Sequence, residues 1–344
     1  MSTIKIAIVA PRTGPLHDLG TQLISGAEQA IKAINDKNGV NGKKLEAVFY
    51  DDAGDPKQAV AVANKVVNDG VSFVIGHLVS SAALPASDIY EDENMILVSP
   101  GATSPEVTCR GYRLLFRTIG HDAVQGEAAV NWIVDRAKAK VVAVIHDGQM
   151  YGEGLAIHVR CSLQKRGVKV AFAASVRPDD KDFSKTVDEL SKAKADLVYF
   201  GGYHPALSAL MRQAKQAGLR TRFMASECVP NEAFRARTGE ATEGLLVTAP
   251  PHSYDAPTDN ERVKAIHQAA KGAYVLPSYA AVEAIVQGIA AAGSEETDQV
   301  ARAMHHGRFD TVMGSLQFQE NGDVKEGRFE VFEFHHGKPP TLRE

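Results

Sequence analysis

The chain has 344 residues, of which 44% are hydrophobic and 23% are charged, and these values are typical of a folded globular protein. The length favours two compact domains over a single hydrophobic core. The formal net charge is −4 and no basic run stands out, which makes nucleic acid and anionic membrane surfaces poor partners. The longest apolar runs, such as residues 141–145, are far shorter than the roughly 20 residues of a membrane helix, so we expect no membrane insertion.

The N-terminal residues and the cysteines bear on the compartment without deciding it. Residues 1–3 run directly into the apolar segment 4–10, with no signal-peptide pattern, which suits a cytosolic protein or a mature exported protein without its leader. The cysteines, Cys109, Cys161 and Cys228, are widely spaced and form no CxxC pair. We therefore predict neither a disulfide framework nor a zinc site, and at least two plain thiols.

From the N-terminus onward, short β-branched runs alternate with amphipathic stretches, the pattern of parallel strands joined by crossover helices. The first series has predicted strands at residues 4–10, 45–50, 72–75 and 95–98, with helices at 22–37, 56–69 and 81–93. Asp55 and Pro56 supply an N-cap and a first-turn proline to the second helix.

A second series begins near residue 121. Its predicted strands are 141–146, 168–174, 197–200, 222–224 and 245–248, and its predicted helices are 123–137, 151–166, 183–192 and 204–217. A third block has helices near 260–271, 278–292 and 297–306 and short strands at 309–311, 316–318 and 329–334.

Two successive βα series predict an α/β protein with two doubly wound parallel-sheet lobes. No flexible linker is present, and the chain is expected to cross between lobes near residues 118–121, 248–251 and 327. We assign residues 1–120 plus 250–327 to lobe 1 and residues 121–249 plus 328–344 to lobe 2. In open α/β sheets the ligand lies at the carboxyl ends of the strands, so we expect the site in a cleft between the lobes.

The short sequence motifs of common enzymes and metal sites are incomplete or absent. Gly152 and Gly154 begin a dinucleotide fingerprint, but Ile157 occupies the position of its last glycine, and no G-x-S-x-G or H-E-x-x-H motif is present. The acidic run 51–55 lacks the alternation of a calcium loop and is better explained as a strand end followed by an N-cap. The adjacent histidines at 305–306 and at 335–336 cannot chelate as pairs. We expect no enzyme, no cofactor and no metal.

Polar residues at strand ends are more informative. In lobe 1, Ser80 opens a helix after the third strand and offers a hydroxyl, a backbone N–H and the helix dipole to an anion, and residues 99–105 follow the fourth strand with a second set of donors. In lobe 2, residues 201–205 and 226–228 follow neighbouring strands, and the second loop carries Glu227. N-capping explains any one serine or threonine, and a solvated loop carboxylate explains Glu227 alone. Taken together, the two sets predict a zwitterionic ligand.

Long stretches of the chain resemble the leucine/isoleucine/valine-binding proteins, the periplasmic receptors of ABC-type branched-chain amino-acid importers. The resemblance runs through residues 50–103 and through RGYRLLFRTIG at 110–120, YGEGLA at 151–156, DKDFS at 180–184 and FGGYHPALSALMRQAKQAGL at 200–219. EGLLVT at 243–248 and DTVMGSLQF at 310–318 extend it. It implies the type I periplasmic-binding-protein fold, in which two lobes are joined by a hinge.

The resemblance also implies roles for ten residues. Ser80 and Thr103 would bind the ligand carboxylate. The ligand ammonium would be bound by the Gly101 carbonyl, the Thr103 hydroxyl, Glu227 and Tyr203. The aliphatic pocket and its closure would involve Leu19, Leu78, Val79, Tyr151 and Tyr274.

Three departures from the family pattern lie in lobe 1. Gly54 and Val79 stand where the family commonly has two disulfide-bonded cysteines, so this pair of loops is expected to be held by packing alone. Leu19 replaces a tyrosine of the first βα loop, which reshapes the apolar end of the pocket. Gly101 replaces an alanine, a change expected to matter little because only its carbonyl is used.

The sequence thus predicts a periplasmic, monomeric receptor that binds aliphatic L-amino acids by hinge closure and delivers them to a membrane permease. A cytosolic sensor domain on the same fold is an alternative, which an attached DNA-binding segment or a co-purifying regulatory partner would favour. An enzyme is a third possibility, which turnover of an amino acid would support.

Overall fold

The computed structural model describes residues 3–229, 231–254 and 258–343. Residues 1 and 2, part of the N-terminal pattern considered above, lie outside the described residues. The chain divides into two compact units: unit 1 comprises Met1–His121 and His252–Gly327, and unit 2 comprises Asp122–Pro251 and Arg328–Glu344.

The first segment of unit 1 is a βα series. Its elements are β1 (Thr3–Ala10), α1 (His17–Asp36), β2 (Lys44–Asp51), α2 (Pro56–Asn68), β3 (Phe73–Ile75), α3 (Ser80–Asp92), β4 (Ile96–Ser99) and β5 (Leu115–Arg117). The strands form one parallel sheet in the order β2-β1-β3-β4-β5. Because β3 and β4 are parallel neighbours, the loops that follow them leave the same edge of this sheet.

Unit 2 begins with a second series. Its elements are α4 (Asp122–Asn131), β6 (Val141–His146), α5 (Met150–Lys165), β7 (Lys169–Ser175), α6 (Ser184–Ala193), β8 (Leu197–Gly201), α7 (His204–Gln216), β9 (Arg222–Ser226), α8 (Glu232–Thr238) and β10 (Leu245–Ala249). A π-helical stretch, Trp132–Arg136, continues α4.

The chain then returns to unit 1 and ends in unit 2. The returning segment contains α9 (Glu261–Ala269), α10 (Val275–Ala292), α11 (Thr297–His306), β11 (Phe309–Thr311) and β12 (Gly314–Leu316), and the last segment contains β13 (Glu330–His335) and β14 (Lys338–Arg343). The sheet of unit 2 has the order β14-β13-β10-β9-β8-β6-β7, with β13 and β14 joining antiparallel.

Helix α10 is the apolar centre of the helical layer of unit 1. It packs along α1, and Gly26 makes this approach possible because a Cβ there would lie 2.1 Å from the Val275 carbonyl oxygen. Among the described residues α10 alone is long and apolar enough to span a membrane, but 72% of it is buried inside the protein. Such burial is typical of a core helix.

Every predicted strand forms, with differences at some ends. The predicted strand 316–318 is displaced to Gly314–Leu316, while Phe318 makes an isolated bridge with Val324. Asp55 caps α2 as predicted, because its Oδ1 accepts from the Gln58 N–H at 2.8 Å. Helix α1 begins five residues earlier than predicted, which places Leu19 in its first turn and not in a loop. The sequence patterns missed β5, α8 and β14.

Candidate functional site

Ser80 directly follows the loop after β3 and is the first residue of α3. The N-cap of this helix is Val79, which has no side-chain oxygen, so Ser80 does not act as an N-cap. The Ser80 side chain is buried, and its Oγ accepts a hydrogen bond from the Ser104 N–H at 3.3 Å. The N-capping explanation for Ser80 is therefore wrong, and its hydroxyl links the loop after β3 to the loop after β4.

The loop after β4 carries Thr103, which is 1% exposed. Within the described part of the chain, the Thr103 hydroxyl oxygen has no hydrogen-bond partner. The neighbouring backbone is well anchored, because Ser99 Oγ accepts from the Ala102 N–H at 3.0 Å and donates to the His77 carbonyl at 2.9 Å. A buried hydroxyl without a partner costs about 1–3 kcal/mol, which makes Thr103 a candidate for contact with a bound molecule.

The apolar candidates of unit 1, Leu19, Leu78, Val79 and Tyr274, are all buried. Leu19 and Tyr274 belong to neighbouring parts of unit 1, because Tyr274 is the N-cap of α10 and its backbone N–H donates to Gln22 Oε1 on α1 at 3.4 Å.

Two of the replaced positions lie in tight surroundings. A Cβ added at Gly54 would lie 3.2 Å from Val79 Cγ2, so the two positions where the resembling family has cysteines are adjacent here. A Cβ at Gly101 would lie 3.1 Å from Leu78 Cγ and from the Leu78 carbonyl oxygen. An alanine at this position would require Leu78 to shift by a few tenths of an ångström, and the expectation that Gly101 is a minor change stays a prediction.

Glu227 follows β9 in unit 2 and is only 2% exposed. The Tyr151 hydroxyl lies 3.1 Å from its Oε1 and 3.0 Å from its Oε2, and Gln125 Nε2 donates to Oε2. The explanation of Glu227 as a solvated loop carboxylate is therefore wrong, since the folded chain buries it and supplies donors that fix its orientation.

Tyr203, in the loop after β8, completes this cluster. Its ring packs on that of Tyr151 with the centroids 5.4 Å apart, and its backbone N–H donates to Asp147 Oδ2 at 2.8 Å. Burial raises the pKa of Asp147 above its usual range. Gly202 has a φ of +140°, and a Cβ there would lie 2.4 Å from the Asp147 carboxyl carbon, so only glycine lets the loop approach this closely.

Sequence reasoning missed Gln125 and Asp147. Gln125 lies in the first turns of α4 and also donates to Thr248 Oγ1 at 3.0 Å, and Asp147 directly follows β6. The position of Asp147 at a strand end was the available signal, but Gln125 is on a helix and nothing local in the sequence marks it.

The three cysteines are free thiols. Cys109 and Cys161 are exposed free thiols, and Cys228 is a buried free thiol whose pKa is raised by burial. In the described ranges no group of three or more histidine, cysteine, aspartate and glutamate side chains could hold a metal ion.

The sequence matches a family model described as periplasmic binding protein over residues 3–338. The chain belongs to this family. A leucine-, isoleucine-, valine-, threonine- and alanine-binding protein of Pseudomonas aeruginosa is 49% identical over 336 residues, which cover 97% of this chain and 90% of that protein. A Leu/Ile/Val-binding protein of Escherichia coli K12 is 46% identical, with coverage of 96% and 91%.

The fold of this periplasmic binding protein also matches a solved relative. The crystal structure of a leucine-binding protein from Thermotoga maritima superposes with a TM-score of 0.91 at 26% identity, covering 99% of this chain and 98% of that one. The family and the type I periplasmic-binding-protein fold predicted from the sequence are thereby confirmed.

Proposed function

We propose that this protein is the substrate-binding receptor of an ABC-type importer and binds the aliphatic, branched-chain L-amino acids leucine, isoleucine and valine. The names of relatives that are 46% and 49% identical over nearly the whole chain support this ligand class. One observation of the structure supports the proposal further. Glu227 is a buried carboxylate, and Thr103 has a buried hydroxyl with no partner among the described residues; a zwitterion needs such groups at its two ends.

The ligand carboxylate is assigned to Ser80 and Thr103. Both hydroxyls are buried, and Ser80 begins α3, where backbone N–H groups and the helix dipole favour negative charge. Each charge-assisted hydrogen bond contributes about 1.5–3 kcal/mol.

The ligand ammonium is assigned to Glu227, with Tyr203 beside it, and to the Gly101 carbonyl and the Thr103 hydroxyl. Tyr151 and Gln125 hold the Glu227 carboxylate in place before any ligand arrives, which lowers the ordering cost of binding. An ammonium group left without a counter-charge in a buried site would cost several kcal/mol, so Glu227 is the residue on which binding depends most.

The ligand side chain is assigned to Leu19, Leu78, Val79, Tyr151 and Tyr274. Burying a leucine side chain contributes about 1.5–3 kcal/mol, and one methylene contributes about 0.8 kcal/mol. The burial of one additional methylene therefore makes the affinities of valine and leucine differ by only about fourfold, and a single pocket accepts both.

A membrane permease is the partner to which the receptor would deliver the bound amino acid. We place the protein in the periplasm, in keeping with the description of its family, and we propose that it is a monomer. No observation favours the cytosolic sensor or the enzyme.

A thermal-shift screen against the twenty L-amino acids, followed by calorimetry, tests this function. We expect leucine, isoleucine and valine to raise the melting temperature and to bind with a Kd of about 1 μM or below, which corresponds to about −8.2 kcal/mol. Isoamylamine and 4-methylpentanoate, which keep the side chain of leucine and only one of its charges, are the matched controls and should not bind. Equal binding of either control, or no response to any aliphatic amino acid, would contradict the proposal.

A further inference from the structure

Arg117, the last residue of β5, lies beneath the loop that carries Thr103. Its side chain is fully buried, and its Nη1 donates to the Ala102 carbonyl at 3.0 Å and to the Ser104 carbonyl at 2.9 Å. These are the two carbonyls on either side of Thr103. The guanidinium group thus holds the backbone before and after the residue whose hydroxyl is assigned to the ligand.

The remaining donors of Arg117 fix the guanidinium itself. Nε donates to Asp323 Oδ1 at 2.5 Å, and Nη2 donates to Thr108 Oγ1 at 2.6 Å. Although burial acts to raise the pKa of Asp323, the charge and hydrogen bond of Arg117, together with hydrogen bonds from Asn321 and Thr108, hold this pKa below its usual range. The pair is therefore an ionised, mutually neutralised one, and Arg117 offers the loop fixed hydrogen bonds with little net charge.

The N–H groups of the same two residues are held by other side chains. Ser99 Oγ accepts from the Ala102 N–H at 3.0 Å, and Ser80 Oγ accepts from the Ser104 N–H at 3.3 Å. Residues 102 and 104 are thus anchored at both their N–H and their C=O groups, while the Thr103 hydroxyl between them has no partner in the part of the chain that the structure describes.

We propose that Arg117 is a positioning residue for amino-acid binding. Its planar guanidinium group holds Thr103 in place through hydrogen bonds to the carbonyls of Ala102 and Ser104, and Asp323 fixes the orientation of the guanidinium group. This proposal rests on the proposed function, because it assigns the role through Thr103. A group held in its binding geometry before the ligand arrives loses less freedom on binding, so the loss of Arg117 should weaken affinity without removing any ligand contact.

The test compares R117K with wild type by calorimetry with leucine. Lysine keeps the positive charge but lacks the planar guanidinium group, and its ammonium group cannot donate to both carbonyls, Thr108 and Asp323 at once. We expect Kd to rise at least about tenfold. R110K is the matched control: Arg110 is a half-buried arginine of the same unit that bonds to the Leu84 carbonyl and pairs with Asp88, and its replacement should change Kd by less than about twofold.

A double-variant cycle separates positioning from general destabilisation. In the T103V background the loop no longer presents a hydroxyl, so R117K should add less than about threefold to the loss already caused by T103V. A full tenfold effect of R117K in both backgrounds, or no effect in either, would overturn the proposal. Circular dichroism checks that each variant is folded. If R117K does not fold, T108V replaces it in the same cycle, because this variant removes the acceptor of Arg117 Nη2 together with the hydrogen bond from Thr108 to Asp323.

Failure of the proposed function gives a different result. In that case wild type itself binds no aliphatic amino acid. If wild type binds leucine and T103V weakens binding, but R117K and T108V bind as tightly as wild type, the function stands and the role of Arg117 is refuted.

Discussion

The Tyr151 hydroxyl lies within hydrogen-bond distance of both oxygens of Glu227, at 3.1 and 3.0 Å. The two side chains come from α5 and from the loop after β9, and they meet below the protein surface, where both are almost fully buried. A carboxylate that is buried and oriented in this way is prepared to accept a cationic group.

Replacing Glu227 with glutamine tests this role. Glutamine keeps the shape but removes the charge, so we expect the Kd for leucine to rise at least about 100-fold, in line with the 2–5 kcal/mol cost of removing one partner of a buried charge pair. Calorimetry measures the loss. Y151F, which removes the hydroxyl that contacts both oxygens of the carboxylate, should raise the Kd about tenfold. Equal affinities of E227Q and wild type would show that Glu227 is not part of the site.

Replacing Thr103 with valine should separate binding from stability. Valine has the same shape as threonine, so the loss of the hydroxyl should weaken leucine binding at least about tenfold. The free energy of unfolding of the ligand-free protein should not fall and should rise by about 1 kcal/mol, because the buried hydroxyl has no partner among the described residues. Urea denaturation measures this, and a destabilised T103V would show that the hydroxyl serves the fold.

Tyr199 provides a matched comparison outside the assigned ligand contacts. Its hydroxyl is buried and has no hydrogen-bond partner in the described ranges. We expect Y199F to stabilise the protein by about 1 kcal/mol and to leave the Kd for leucine within about twofold. A loss of stability in urea denaturation would mean that the Tyr199 hydroxyl does have a partner.

The adjacent positions Gly54 and Val79 should accept a disulfide. In G54C/V79C the disulfide bond would join the two ends of the chain segment 54–79, which includes α2 and β3. The chain-entropy model predicts that this cross-link raises the free energy of unfolding by about 3 kcal/mol. Gly54 has a φ of +68°, so the single variant G54C should lose about 1 kcal/mol. Thiol titration and denaturation with and without reductant measure both effects, and two free added thiols under oxidising conditions would contradict the prediction.

The Arg117–Asp323 pair predicts a pH dependence. The pKa of Asp323 is lower in the folded protein than in the unfolded chain, so the unfolded state binds the proton more readily. The contribution to stability is therefore present above the unfolded pKa, about 4, and is lost as pH falls through the folded pKa. Between pH 5 and pH 3, wild type should lose more stability than D323N, and parallel stability curves would argue against a depressed pKa.

The βα alternation was predictable from the sequence because it is local. Apolar residues repeat with helical or strand periodicity within each segment, so the strands of both series and their polar carboxyl ends could be placed without knowledge of the fold. The short elements were missed because the prediction depends on local periodicity, which a short segment shows poorly. Strand β5 has three residues and contains a charged side chain, Arg117, so its pattern is too short and too polar to indicate a buried strand.

The hydrogen bonds that hold the residues of the candidate site in place were not predictable from local patterns. Arg117 bonds to Asp323, which is 206 residues away in the chain, and Gln125 bonds to Glu227, 102 residues away. No local pattern encodes such a pair. The solvated-carboxylate explanation of Glu227 failed for the same reason, because burial depends on which distant segments of the folded chain pack around the residue.

The sequence alone determined the fold class, the family resemblance and the loops that carry Ser80, Thr103, Tyr203 and Glu227, since periodicity and contiguous motifs are properties of neighbouring residues. Only the tertiary structure decided that Glu227 is buried and oriented, that Gly54 faces Val79, and that a buried arginine holds both sides of Thr103. Desolvation and hydrogen-bond geometry arise from contacts between distant segments, and these exist only once the chain has folded.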